Sequence, residues 1–328
     1  MQKHCLIIAL FVLIFVTACG GPRVKLFSDA GDPLKEYTLE GRGSDKILLI
    51  PVHGMITDTP KERFLAQSPS IVENVVSQLR KAEKDDRIKA VLFEINSPGG
   101  TITASDILYH EISSFKERTG KKITVSMLDI ATSGAYYVSL PADIITAHPT
   151  TVTGSVGVLF LQPKIAGLME KIGFSVDVKK FGKNKDMGTP FRESSEEEQR
   201  LLQKLVDDMG DRFMRLVQKH RKPDQHALTE ISTARIFSAD EALKLGLVDK
   251  IYYLSDAMRE SKQLAGLSAD ARVVVYRRTE FPDDTYYNTS TVTSEGVNVP
   301  AVNIQLPEML VLKTGFYYLW PGAVSVER

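Results

Sequence analysis

Only two cysteines, Cys5 and Cys19, occur among the 328 residues, which excludes a disulfide-stapled scaffold and a cysteine-rich zinc site. Charge of one sign is lacking as well: 41 Lys and Arg balance 41 Asp and Glu. A strongly basic nucleic-acid binder and an acidic solvating tail are both excluded by that balance. The six histidines, at 4, 53, 110, 148, 220 and 226, form no HExxH motif and no close pair, so a zinc hydrolase is a poor reading. No internal repeat stands out, and no apolar run reaches the roughly 20 residues of a membrane-spanning helix. What remains is a globular chain with 43% hydrophobic and 25% charged residues, long enough for one large domain or two ordinary ones.

The first segment reads as an address. Lys3 gives a short positive start, Leu6 to Val16 are 11 consecutive apolar residues, and Val16-Thr17-Ala18-Cys19 is followed by the helix-breaking Gly20-Gly21-Pro22. Small residues before a cysteine resemble the lipobox of bacterial lipoproteins. That resemblance implies cleavage before Cys19, acylation of its thiol and a bacterial envelope location outside the cytoplasm. Each buried lipid CH₂ contributes about 0.8 kcal/mol, so two or more chains anchor stably. An ordinary cleaved signal or an uncleaved anchor is the alternative.

Beyond a Gly-, Pro- and charge-rich tether over 20–44, short apolar runs alternate with helical spacings. Lys46 to Val52, Ala90 to Ile95, Ile123 to Met127, Ile144 to Ala147 and Phe174 to Val178 read as strands. Helices are expected over 70–84 with Ser70 as N-cap, over Ser105 to Phe115, from about Ala131 onward, over Ser194 to Val217 and over Ala239 to Leu245. This rhythm argues for parallel pairing through βαβ crossovers. Residues 277–300 look like a flexible polar connection, and Phe316 to Trp320 form an aromatic patch whose partner the sequence does not reveal.

Three glycine-rich turns follow strands: Ser97-Pro98-Gly99-Gly100, Thr132-Ser133-Gly134-Ala135 and Gly154-Ser155-Val156-Gly157. They lack GxxxxGKS/T and GxGxxG, which disfavours phosphate and dinucleotide cradles. Glycine lets backbone N–H groups face a cleft, and two converging amides make an oxyanion hole. Ser133, directly before Gly134 at a strand-to-helix turn, is a candidate nucleophile that needs a base. His148 is the one histidine near these turns, although it reads better as a polar strand-end residue. Lys185, in Phe181-Gly182-Lys183-Asn184-Lys185-Asp186-Met187-Gly188, is the other option. A lysine near pKa 10.4 is charged at neutral pH, and only desolvation makes it a usable base. A solvated basic loop is the plainer reading of Lys183 and Lys185.

Taken together, EINSPGG at 94–100, DIATSGAYYVS at 129–139, TVTGSVGV at 151–158, FGKNKDMG at 181–188 and RIFSADEALKLGLVD at 235–249 resemble the signal peptide peptidase A family, the serine peptidases of group S49. The resemblance runs from about 45 to 260. It implies an α/β fold of the ClpP/crotonase type, with parallel strands, βαβ crossovers and Gly-rich turns. The domains it implies are a signal at 1–18, a tether and entry segment at 19–44, a peptidase domain at 45–262 and an extension of unread role at 263–328. Carried over residue by residue, it makes Ser133 the nucleophile and Lys185 the general base. Ser155 orients the lysine amine, and the amides of Gly99 and Gly134 hold the oxyanion, with Gly100 an alternative to Gly99. Asn184 and Ala135 depart from the family pattern, which often has an aromatic and a second glycine there. The resemblance implies no metal or cofactor, substrates that are cleaved signal peptides or other short unfolded apolar peptides, and a homo-oligomer. It also admits a dyad shared between adjacent subunits. Rival readings are a crotonase-like acyl-CoA enzyme, a non-catalytic scaffold lipoprotein and a protease with His148 as base.

Overall fold

Runs that are apolar at every position belong to strands covered on both faces. The computed structural model, which describes residues 32–62, 67–278, 284–287 and 314–323, arranges fourteen strands into a nine-stranded sheet, a three-stranded sheet and a two-stranded hairpin. They include β1 (Lys35–Glu40) and β2 (Lys46–His53), followed by the separate hairpin of β3 (Lys61–Glu62) and β4 (Gln67–Ser68). Then come β5 (Ile88–Ser97), β6 (Gly99–Thr101), β7 (Lys122–Thr132), β8 (Ile144–Ala147), β9 (Val152–Gly154) and β10 (Leu159–Leu161). The last are β11 (Ile236–Ser238), β12 (Lys250–Ile251), β13 (Arg272–Arg277) and β14 (Gly315–Leu319).

The main sheet runs β1-β13-β2-β5-β7-β8-β12, with β9 paired to β7 and β11 to β9, and the three-stranded sheet runs β10-β14-β6. Pairing is parallel except for β1 with β13 and β9 with β11. Strand side chains alternate between faces. Leu48, Ile50 and Val52 therefore join one core, with Val75, Leu79, Leu108, Ile112 and Phe213 from the helices Ile71–Glu83, Ile102–Thr119 and Glu196–Arg221. Ile47, Leu49, Ala90 and Leu92 join a second core, under the helix Leu254–Leu264. Each fully buried Val, Leu or Ile stabilises by about 1.5–3 kcal/mol. Lys46, fully buried, is matched by Glu36 and Asp85 at 2.7 and 2.8 Å.

The helices start where capping chemistry places them. Ser70 and Ser195 each close a capping box, with Glu73 and Glu198. The expected nucleophile helix is short, Gly134–Ser139. Two boundaries move. The division at 262 falls inside the helix Leu254–Leu264, and β13 lies between β1 and β2, so residues beyond 262 help to build the body rather than extend it. Within the tether and entry segment drawn over 19–44, the entry part contains β1. Phe174 to Val178 form no strand: the alternation is there, but no neighbouring strand pairs with it, and the segment is exposed. The leader and Cys19 lie outside the described residues, as does most of 277–300.

Candidate active site

All three glycine turns gather at the carboxyl ends of β5, β7 and β9, because parallel strands deliver their turns to one edge of the sheet. Ser133 joins β7 to the helix Gly134–Ser139 with φ +54° and ψ −115°, a region that only strong local constraint maintains in a residue with a Cβ. Its N–H donates to Gly154 O at 2.8 Å, and its carbonyl accepts from Tyr137 N–H at 2.9 Å. The side chain is fully buried, and Oγ has no hydrogen-bond partner among the described residues. A buried hydroxyl left unpaired is costly, so its place in the fold calls for an explanation. Gly134 is the first residue of its helix, where an N–H has no acceptor within the helix.

The Gly99 turn meets the Ser133 turn backbone to backbone. A Cβ on Gly99 would lie 2.8 Å from Gly134 N, and one on Gly134 would lie 3.2 Å from Gly100 N, so a side chain at either position forces the two turns apart. The amide expected to face an oxyanion, Gly99 N–H, donates instead to Ser97 Oγ at 3.1 Å. Gly99 O and Thr101 N–H are both engaged by Ile56, at 2.8 and 3.0 Å. Strand alternation then turns the Gly100 amide toward the opposite edge of β6. Ser97 was not singled out by the sequence reading, although a Ser two residues before a Gly is a familiar turn signal.

Ser155 has φ +51° and donates its N–H to Arg235 O at 2.9 Å. It follows Gly154, whose carbonyl holds the Ser133 amide, so the two serines sit on adjoining corners.

Lys185 is placed differently. Its turn is built on Gly182 and Gly188, both at positive φ, and is braced from below. Asp186 is held by Lys180 and by Arg192 at 2.8 Å, Arg192 reaches Glu198, and Lys183 pairs with Glu197. The hydrogen bonds from Arg192, then from Lys180, hold the Asp186 carboxyl far below the ordinary carboxylate range. Lys185 itself is exposed, and its side chain makes no hydrogen bond or ion pair among the described residues. Within one chain, then, Lys185 does not touch Ser133. The stretch of chain that precedes it exposes large apolar side chains: Leu168, Ile172, Phe174, Val176, Val178 and Phe181, the last 99% exposed. His148 is not poised over Ser133 either: its Nδ1 meets Thr150 Oγ1 at 2.8 Å and its ring packs edge-on against Tyr253.

Two further features escaped the sequence reading. Glu94, 1% exposed, bonds His53 Nε2 at 2.8 Å just before the Gly99 turn. The aromatic patch Phe316 to Trp320 was noticed but not read as a strand: its first four residues lie in β14, which pairs with both β6 and β10, and its β-rich composition was the available signal.

Comparison with known proteins bears on this site. The model of peptidase family S49 matches residues 116–268, and that of Clp protease matches residues 65–144. A putative signal peptide peptidase SppA of Enterococcus faecium is 35% identical over 253 residues, covering 77% of this chain and 73% of the relative. A putative protease of Methanocaldococcus jannaschii is 31% identical, covering 82% of this chain and 85% of its own length. Protease 4 of Haemophilus influenzae is 30% identical, covering 80% of this chain but 41% of that longer protein.

Proposed function

The chain belongs to peptidase family S49, a serine peptidase family with a ClpP-like α/β fold, and we propose that it cuts short unfolded apolar peptides, cleaved signal peptides among them, with a Ser133–Lys185 dyad shared between two copies. Family membership removes the acyl-CoA and scaffold readings. The observation that carries Ser133 as nucleophile is its buried Oγ, unpartnered among the described residues, on a strained corner where glycine amides converge; Lys185 rests on the family resemblance.

The chemistry follows from what each group supplies. Ser133 Oγ attacks a peptide carbonyl while the Lys185 amine of an adjacent copy takes its proton. The attacked oxygen gains charge against the amides of Gly134 and Gly100, each such donor contributing roughly 3 kcal/mol. The lysine ammonium then protonates the leaving amine, and water releases the acyl group. An ammonium accepts no proton, and removing an amine from water favours its neutral form. Burial of the exposed apolar band against a second copy supplies that dry surface, with the Ser155 hydroxyl aiming the amine. A lipid on Cys19 would hold the protein at the bacterial envelope, close to apolar peptides released from the bilayer.

The test is complementation. Ser133→Ala and Lys185→Ala chains, each folded by circular dichroism, are expected to lose peptide turnover when assayed alone and to recover part of it when mixed. Substantial turnover by either variant alone refutes the dyad. No recovery after verified mixed assembly refutes its sharing between copies.

A further inference from the structure

The parallel strands β5 and β7 pair in step from Ala90 with Lys122 to Ile95 with Met127, and the next pair is Ser97 with Ala131. β7 therefore spends three residues, 128–130, where β5 spends one, Asn96. An unbroken ladder would set Gly99 level with Ala131. The excess of two residues sets it level with Ser133 instead. A Cβ on Gly99 would accordingly lie 2.8 Å from Gly134 N and 3.1 Å from Thr132 O, the groups on either side of Ser133. Strand side chains alternate with period two, so an excess of two advances the register without turning the strand over. Met127 and Ala131 thus join the same core. At the same place β7 changes neighbours, from β8 over Thr124–Met127 to β9 over Ile130–Thr132.

A bulge takes backbone groups out of the ladder, and here two side chains bond them. Asn96 Oδ1 accepts from Ile130 N–H at 3.2 Å. Asn96 O accepts from Gly54 N–H at 3.0 Å, which fixes Asn96 itself to the end of β2. From the other flank Thr151, fully buried, shares its hydroxyl hydrogen between Met127 O at 3.0 Å and Leu128 O. Thr151 N–H donates to His148 O and His148 N–H to Met127 O, each at 2.9 Å, so the threonine is held against the start of the bulge. The strand β9 begins at the next residue, and its Gly154 O takes the Ser133 N–H at 2.8 Å. Asn96 and Thr151 therefore reach Ser133 through the backbone of β7.

We infer that Asn96 and Thr151 are positioning residues for peptide cleavage: their side chains clamp the bulge in β7 from its two flanks, and the bulge sets the nucleophile level with the Gly99 turn that faces the oxyanion. This inference rests on Ser133 being the nucleophile. A displacement of about 1 Å at a reacting group costs roughly a hundredfold in rate, so a clamp that governs register governs turnover more than it governs substrate affinity.

The test compares the full chain with Thr151→Val, which keeps the side-chain shape and deletes the hydroxyl, and with Thr151→Ser, which keeps the hydroxyl. Asn96→Ala and Asn96→Asp form the matching pair at a half-buried position, and they carry the test if Thr151→Val does not fold. With a fluorogenic apolar peptide, Thr151→Val and Asn96→Ala are expected to lose about tenfold or more in kcat, with KM within about threefold of the parent. Thr151→Ser and Asn96→Asp are expected to recover most of that loss. A merely structural role lowers the melting temperature alone, so folded and equally assembled Thr151→Val and Asn96→Ala chains with the kcat of the parent overturn the inference. A loss that the conservative variants share overturns it as well, since the hydroxyl and the amide oxygen are then not what acts. If the parent turns over no peptide and takes no fluorophosphonate label at Ser133, the nucleophile reading falls, and amide hydrogen exchange over 128–134 decides on the clamp alone. Faster exchange there in Thr151→Val, restored in Thr151→Ser, upholds the clamp, and unchanged exchange overturns it.

Discussion

A serine held at φ +54° beside two glycines that tolerate no Cβ shows where this fold places its constraints. A Cβ on Gly99 would meet backbone first, whereas one on Gly134 would meet the Ser105 hydroxyl at 2.4 Å, so both turns are packed more closely than a residue with a side chain would permit. Gly100 is the sharpest case, since a Cβ there would lie 1.9 Å from Ile56 O. Gly100→Ala is expected to destabilise the protein by about 1–3 kcal/mol or more through backbone displacement. Chemical denaturation reads that loss, and turnover should fall in the same variant because the amide at 100 moves with its strand. Ser133→Ala, by contrast, deletes an unpartnered oxygen and is expected to leave stability unchanged or slightly raised while turnover is lost.

At the scale of the element, the helix Glu196–Arg221 does more than cover the sheet. Its capping box and the Arg192 ion pairs hold the base of the Lys185 turn. Ser195→Ala is expected to cost about 1 kcal/mol, the usual loss for an N-cap hydroxyl. The Arg192 guanidinium, then the Ser195 amide, draw the Glu198 carboxyl down to about 2. A carboxyl with a folded pKa below its unfolded value stabilises above the unfolded pKa and loses that contribution as pH falls toward the folded one. Stability should therefore decline between about pH 4.5 and 2, and Glu198→Gln should flatten that part of a urea-denaturation pH series.

For the molecule as a whole, Tyr109 in the middle of the helix Ile102–Thr119 meets His220 at the end of Glu196–Arg221, Oη and Nε2 lying 2.9 Å apart. Burial, with the nearby Lys219, Lys116 and Arg221 charges, lowers the His220 pKa. The folded state thus favours neutral imidazole, while the unfolded chain takes up a proton below about pH 6.5. Stability from this contact is complete above that pH and declines on acidification toward the lower folded pKa. Thermal unfolding at pH 5 and pH 7 should differ more for the parent than for His220→Gln. The exposed side chains of Leu168, Ile172, Phe174, Val176, Val178 and Phe181 belong to the same scale, as the surface that the proposed pairing of two copies would bury.

What the residues determined by themselves is what local physics reads. Ala90 to Ile95 and Ile123 to Met127 announced strands buried on both faces, Ser70 and Ser195 announced helix starts, and the turns at Gly99, Gly134 and Gly154 were legible because glycine after an apolar run has few other uses. Tertiary structure decided whatever depended on a distant partner. Phe174 to Val178 and Phe316 to Leu319 carry similar strand signals, yet only the second found neighbours, at β6 and β10, and became a strand. Gly99 and Gly100 are indistinguishable in sequence, and their amides parted only when Ile56 took one edge of β6. Side-chain period and capping act within a few residues, whereas hydrogen-bond pairing and burial join residues far apart along the chain, so the elements were readable and their partners were not.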